Sequence, residues 1–130
     1  GLIKSINNTL ETGNVLSNDI DFINAHGTAT VYNDEMEAKA FSKLNFDNIP
    51  VNSLKGYFGH TLGAAGIIET AISLQSIRNN LLLKCKGFEN QDFDSKLDIL
   101  RENREIQVNT ILKTSSGFGG FNASAIIQKI

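Results

Sequence analysis

The chain has 130 residues, 41% of them hydrophobic, enough for one domain with a sizeable core. Twelve Lys and Arg stand against 14 Asp and Glu, a formal net charge of −2, which gives no case for nucleic acid or an acidic membrane surface as partner. No run of roughly 18 apolar residues occurs, so no transmembrane helix is expected, and the single cysteine, Cys85, suits a reducing, cytoplasmic setting without an internal disulfide.

No signal peptide is visible. The first residue is Gly1 and the only methionine is Met36. A piece of a longer protein, or a chain starting on a cloning scar, is therefore expected.

In chain order, Leu2, Ile3, Ile6 and Leu10 have helical spacing, and Gly13 is the expected stop. The run Ile20-Asp21-Phe22-Ile23 reads as a short strand entering the loop Asn24-Ala25-His26-Gly27-Thr28-Ala29-Thr30. Asp34 followed by Glu37 reads as a carboxylate capping box for a helix over residues 35–44, with Met36, Ala40, Phe41 and Leu44 on its apolar stripe. After Pro50, residues 51–54 read as a strand delivering Lys55 to a second glycine-rich loop.

The pattern over residues 61–79 predicts a long helix, apolar nearly all round and therefore buried. Gly63, Ala64, Ala65 and Gly66 leave its first turns almost without side chains, which permits close approach to another backbone. Residues 81–84 form a possible short strand. Residues 86–104, with Asp92, Asp94, Asp98, Arg101, Glu102 and Arg104, read as a charged surface excursion with at most one helical turn around 95–100. Residues 106–114 and 122–128 read as strands of an antiparallel hairpin around Gly117-Phe118-Gly119-Gly120. Strands alternating with helices, then a hairpin, predict an α/β domain with a mixed sheet and no internal repeat.

Three stretches carry polar chemistry among glycines: the His26 loop, the run from Lys55 through His60 to Gly66, and the hairpin turn with Phe118. We read them as walls of one site. The bland reading of either histidine is a hydrogen-bonded core residue; two in matching settings favour a shared function. The remaining candidates lack a recognisable zinc-ligand spacing, so no metal is expected. His60 stands just ahead of a helix, whose positive N-terminal end disfavours imidazolium. A neutral His60 would polarise a carbonyl and stabilise a developing enolate.

Lys55 reads either as a substrate contact or as an ion-pair partner. Glu69, a carboxylate in an apolar helix, needs a partner, and Lys55 is the nearest candidate. Phe118 reads either as a core anchor or as the cap of a pocket hinged by Gly117 and Gly119. Cys85 lies between two lysines but follows no helix start and adjoins no histidine, so it reads as structural.

Together these residues resemble a known family. Asn24-Ala25-His26-Gly27-Thr28-Ala29-Thr30, Asn33-Asp34 with Glu37, Lys55, Gly59-His60-Thr61-Leu62-Gly63-Ala64-Ala65-Gly66, Glu69, and Gly117-Phe118-Gly119-Gly120 with Asn122-Ala123-Ser124 resemble the C-terminal half of β-ketoacyl-acyl carrier protein synthases. The motifs fall in the family's order over about residues 20 to 128. The resemblance implies one half of a thiolase-like αβαβα layered fold, with residues 1–130 as the C-terminal synthase domain. It implies decarboxylative Claisen condensation of an acyl thioester with malonyl-carrier protein, in fatty-acid or polyketide synthesis. No cofactor is implied, since phosphopantetheine arrives on the acyl carrier protein.

On the matching positions, His26 and His60 would bind the malonyl thioester and promote its decarboxylation. Lys55 and Glu69 would be the supporting ion pair. Thr28 and Thr30 would line the pantetheine tunnel, and Phe118 with Gly119 would form the gate and oxyanion hole. The nucleophilic cysteine would belong to the N-terminal half, which Cys85 does not match, so the chain alone is expected to be inactive. Partners implied are that N-terminal half, acyl carrier protein, and a second subunit in a homo- or heterodimer. The alternative is a non-catalytic subunit of the chain-length-factor type. Val31, Ser116 and Phe121 depart from the family's usual proline, phenylalanine and threonine; the last two flank the gate, where acyl preference would be set.

Overall fold

The computed structural model describes residues 1–90 and 95–130. Helix α1 (Leu2–Gly13) buries Leu2, Ile6 and Leu10, spaced four apart on one face. Gly13 is its last helical residue, and Asn14 takes the left-handed turn expected of a glycine, at φ 50°. Strand β1 (Phe22–Asn24) lies between β2 (Val51–Asn52) and β5 (Thr110–Gly117), parallel to both. Strand β5 pairs antiparallel with β6 (Phe121–Gln128), giving a four-stranded mixed sheet in the order β2-β1-β5-β6.

Alternation along the two inner strands divides the core. Ile23 and Leu112 join the cluster under α1 and α2 (Val31–Lys43), with Phe41 and Phe46. Phe22 and Ile111 join the opposite cluster, with Ile77 of α4 (Ala65–Asn79) and Leu82 of β3 (Leu81–Leu82). Helices thus cover both faces of the sheet, and its parallel strands end at the two histidine loops.

Several sequence expectations are corrected. Helix α2 begins at Val31, four residues before the expected start, and Asp34 and Glu37 lie inside it, so they are no capping box. Their carboxylates turn instead to the His26 loop. Strand β2 stops at Asn52, because Leu54 already leads the short helix α3 (Lys55–Phe58). The helix expected over 61–79 is divided: a 3-10 turn at Leu62–Ala64 precedes α4. It is not buried all round, since Ile67 is 73% exposed and Leu74 is also exposed. A Cβ at Gly63 or Gly66 would meet nothing within 4 Å, so no close approach uses those glycines here. Gly56 makes one instead, because a Cβ there would overlap the Lys86 carbonyl.

The charged excursion is more structured than expected. Leu97 and Leu100 are buried, Ile99 bridges to Val51, and Val51 exchanges backbone bonds with Asp98 and Leu100, each 2.9 Å. No helical turn forms over residues 95–100. Asp92 and Asp94 lie outside the described residues. Strand β4 (Arg104–Glu105) pairs with β3 as a separate ribbon. The hairpin is as expected, with Gly119 and Gly120 both at φ 81° in its turn. Its first strand starts only at Thr110, because the Asp21 carboxylate takes the N–H groups of Asn109 (2.8 Å) and Thr110 (2.9 Å). Among the described residues no helix is long and apolar enough to cross a membrane.

Candidate active site

His26 follows the end of β1, and its loop turns sharply at Gly27, φ 45°. A Cβ at Gly27 would lie 2.5 Å from that of Ser53, so only glycine fits the turn. Ser53 Oγ donates to the carbonyls of His26 (3.2 Å) and Gly27 (2.8 Å). The buried Glu37 carboxylate accepts from the N–H groups of His26 (2.8 Å) and Gly27 (2.7 Å), from Asn33 Nδ2 (3.0 Å) and from Thr114 Oγ1 (3.1 Å). Asp34 accepts from the N–H of Thr28 at 3.1 Å. A helix therefore supplies anions to a loop whose own amides have no strand partners.

Below His26 lies a buried ionic row. Lys55 Nζ sits 2.7 Å from Glu69 Oε1, the pair expected from the sequence. It also donates to the His26 carbonyl at 2.6 Å and lies 3.2 Å from His26 Nδ1. Glu69 Oε2 takes a second ammonium, Lys113 Nζ, at 2.7 Å. Lys113 donates to the Thr114 carbonyl at 2.6 Å.

Burial opposes ionisation of Glu69, yet the hydrogen bonds and charges of Lys113 and Lys55 outweigh it and hold the carboxyl below its ordinary value. Burial pushes Lys113 down against the pull of Glu69. His26 is lowered to about 4, first by burial, then by the charges of Lys55, His60 and Lys113, with Glu69 opposing.

His60 lies across from His26, ring centroids 5.3 Å apart and planes at 81°. The N–H of Leu62 donates to His60 Nδ1 at 3.1 Å. Leu62 holds φ 51°, a conformation uncommon for leucine, as Ala29 does at φ 59° in the His26 loop. An acceptor Nδ1 puts the proton of a neutral imidazole on Nε2. Lys55 at His26 Nδ1 and Leu62 N–H at His60 Nδ1 set the same tautomer in both rings. Neither Nε2 has a hydrogen-bond partner among the described residues.

The two rings line an open pocket of about 750 Å³ together with Thr28, Thr30, Leu62 and Phe118. Thr28 and Thr30 share a 2.8 Å hydrogen bond between their hydroxyls. Phe118 is 96% exposed, so no packing among the described residues fixes its ring. Gly119 supplies the turn beside it. Ser116 Oγ donates to Asn122 Oδ1 at 3.0 Å, closing the hairpin beneath the turn.

All eight expected site residues therefore gather around one corner of the sheet, with Glu69 and Lys55 below and the others at or beside the pocket. Cys85 is pushed up by burial, which favours the unreactive thiol, and it lines two neighbouring cavities, one of which shares Thr28 and His60 with the histidine pocket. Among the described residues no group of three or more His, Cys, Asp or Glu side chains is arranged to hold a metal ion.

Sequence reasoning missed Lys113 altogether and misread Glu37. The signal for Lys113 was present: a lone cation in Thr110-Ile111-Leu112-Lys113-Thr114, otherwise the pattern of a strand buried on both faces.

The model of the family described as beta-ketoacyl synthase, C-terminal domain, matches residues 1–89. The 3-oxoacyl-[acyl-carrier-protein] synthase 2 of Coxiella burnetii is 37% identical over all of this chain, which spans 32% of that protein. Among solved structures, the ishigamide ketosynthase/chain length factor superposes with a TM-score of 0.95 at 29% identity, covering 100% of this chain and 33% of its own. A type II polyketide synthase acyl-carrier protein in complex with its ketosynthase matches with a TM-score of 0.93 at 28% identity, over 98% of this chain and 32% of its own. The chain thus spans about a third of the length of these relatives. The fold is thiolase-like, as expected, α/β with a mixed sheet and a terminal antiparallel hairpin.

Proposed function

This chain belongs to the β-ketoacyl synthase C-terminal domain family, and on that premise we propose that it supplies the malonyl-handling wall of a 3-oxoacyl-[acyl-carrier-protein] synthase. The observation that carries the reading is the matched tautomer of His26 and His60. Two rings 5.3 Å apart, each with Nδ1 engaged from behind, leave both Nε2 atoms for one pocket.

A malonyl thioester carbonyl held by both donors loses its carboxylate as CO2. The electron pair of the broken C–C bond becomes the enolate, and the donors stabilise charge growing on the oxygen. The enolate carbon then attacks an acyl-cysteine thioester, forming the new C–C bond and releasing thiolate. We assign that cysteine to another part of the protein, since Cys85 is not among the residues lining the histidine pocket. Thr28 and Thr30 bind the pantetheine arm brought by acyl carrier protein, which needs no resident cofactor. Phe118 gates the pocket, and the turn with Gly119 offers backbone donors to the oxyanion. The N-terminal half of the same synthase covers the exposed pocket wall, in a cytoplasmic homo- or heterodimer.

The second reading is a non-catalytic subunit of chain-length-factor type, supported by the ketosynthase/chain length factor among the structural matches. Intact donors on both histidines favour the enzyme. Malonyl-acyl carrier protein decarboxylation by the full-length protein decides. His26→Ala and His60→Ala should each lower the rate by about 10²-fold or more. Unchanged rates would refute the donor roles, and a wild-type protein with no decarboxylation would favour the second reading.

A further inference from the structure

Among the described residues, two lysines and two carboxylates are buried around His26, equal in number and opposite in formal charge. Lys55, Glu69 and Lys113 have side chains 7%, 4% and 5% exposed, and Glu37 is 3% exposed. Two ammonium groups thus face two carboxylates. Glu69 already has Lys55 at 2.7 Å, so a second lysine is not needed to compensate it. Glu37 is held by four neutral donors, two of them backbone amides, and contributes a negative charge without a cation in contact. Lys113 supplies the second positive charge of the group and feels the charge of Glu37. Protonated His26 would add an uncompensated buried cation.

We propose that Lys113 is a positioning residue of the histidine pair: its buried ammonium on Glu69 Oε2 completes the charge balance that keeps His26 neutral, with its proton on Nε2. The use of that neutrality for enolate binding rests on the function proposed above; the charge balance does not. Five groups face His26: Lys55 from α3, His60 from the loop before α4, Glu69 from α4, Lys113 from β5 and Glu37 from α2. Glu69 favours protonation of His26, while Lys55, His60 and Lys113 oppose it. Lys113 acts through strand geometry fixed by its register partner Asn24, two residues before His26. With Lys113 gone the row carries a net negative charge, which a proton on His26 would neutralise.

The test is the ring-nitrogen NMR titration of His26 in the full-length protein, with labelled histidine and no substrate. In the unmodified protein, His26 should remain the neutral Nε2–H tautomer down to about pH 5. Lys113→Met should raise its proton affinity severalfold, and Lys113→Arg should restore the original midpoint. An unmoved midpoint in a folded Lys113→Met protein overturns the proposal. If Lys113→Met does not fold, the unmodified protein is titrated upward while Lys113 Nζ is followed directly. Loss of the Nζ proton should shift the His26 ring resonances, and unchanged resonances overturn the proposal.

The acid limb of malonyl-carrier decarboxylation should rise in pH with the His26 midpoint. A protein without decarboxylase activity would remove the proposed function yet leave the titration to decide the role of Lys113.

Discussion

His26 and His60 face each other across 5.3 Å but are held in different ways. His26 is 6% exposed, its backbone fixed by Glu37 and Ser53 and its ring by Lys55. His60 is exposed, and among the described residues its ring has a single hydrogen bond, from the Leu62 amide two residues on. Around His26 the chain spends buried charge to fix a ring. Around His60 and Phe118 it presents apolar side chains to open space. The floor of the pocket is buried within this chain, whereas its rim is exposed. Perturbing the floor should therefore cost folding free energy, and perturbing the rim should leave it nearly unchanged.

Glu69→Ala tests the floor most severely. It strands two buried ammonium groups 2.7 Å from the lost carboxylate, and should destabilise the chain by about 3–5 kcal/mol. The shift of the urea midpoint at constant slope measures this. A loss below about 1 kcal/mol would mean that the row is solvated and the contrast false. Glu37→Gln should cost less, about 1–3 kcal/mol, because one amide nitrogen would face N–H donors of the His26 loop and leave a buried donor unpaired. Amide exchange at His26 and Gly27 should accelerate with it, and unaltered exchange at both would contradict the carboxylate's role.

Acid should act on the same floor. The pKa of His26 falls to about 4 in the folded chain from an unfolded value of 6.5, so the unfolded chain binds more protons between those values. Stability is then full above pH 6.5 and declines as pH falls toward 4. The decline attributable to His26 is on the order of 2 kcal/mol. Urea midpoints across this range should show the slope in the unmodified chain and a flatter one in His26→Gln. Equal slopes would mean that His26 titrates normally.

The rim was more legible in the sequence than the floor. Glycines around His60 and Phe118 announce backbone turns, because few other residues tolerate φ 71° at Gly59 or 81° at Gly119. The pairing of Lys55 with Glu69 followed from the cost of a lone carboxylate among apolar residues. Lys113 was hidden because its partner lies 44 positions away in sequence and on another element, and periodicity carries no record of such a contact. Glu37 was misread because its spacing from Asp34 satisfies a local capping pattern. The bonds it makes run to a loop folded back over the helix, a tertiary arrangement that overrides the local reading. The burial of Leu97 and Leu100 was missed for a related reason: alternating charges masked three apolar residues that complete the free edge of β2.

The smallest expected effect falls on the rim, and it decides whether that surface is a cover site or part of the core. Ile67 on α4 is 73% exposed and Phe118 is 96% exposed, so truncating either removes little apolar contact in this chain. Ile67→Ser and Phe118→Ala should each change stability by no more than about 0.5 kcal/mol. Ile77, 5% exposed on the same helix but facing the sheet, should cost about 2–5 kcal/mol as Ile77→Ala. Solution behaviour should reverse that order. Exposed Phe58, Leu62, Ile67 and Phe118 leave apolar surface uncovered, Leu62 and Phe118 at the pocket itself, and should drive self-association of the isolated chain and binding of a hydrophobic dye. Ile67→Ser should weaken both, as read by sedimentation and dye fluorescence. An isolated chain that sediments as a clean monomer and binds no dye would show that the rim needs no cover, and the contrast with the floor would then be one of exposure alone.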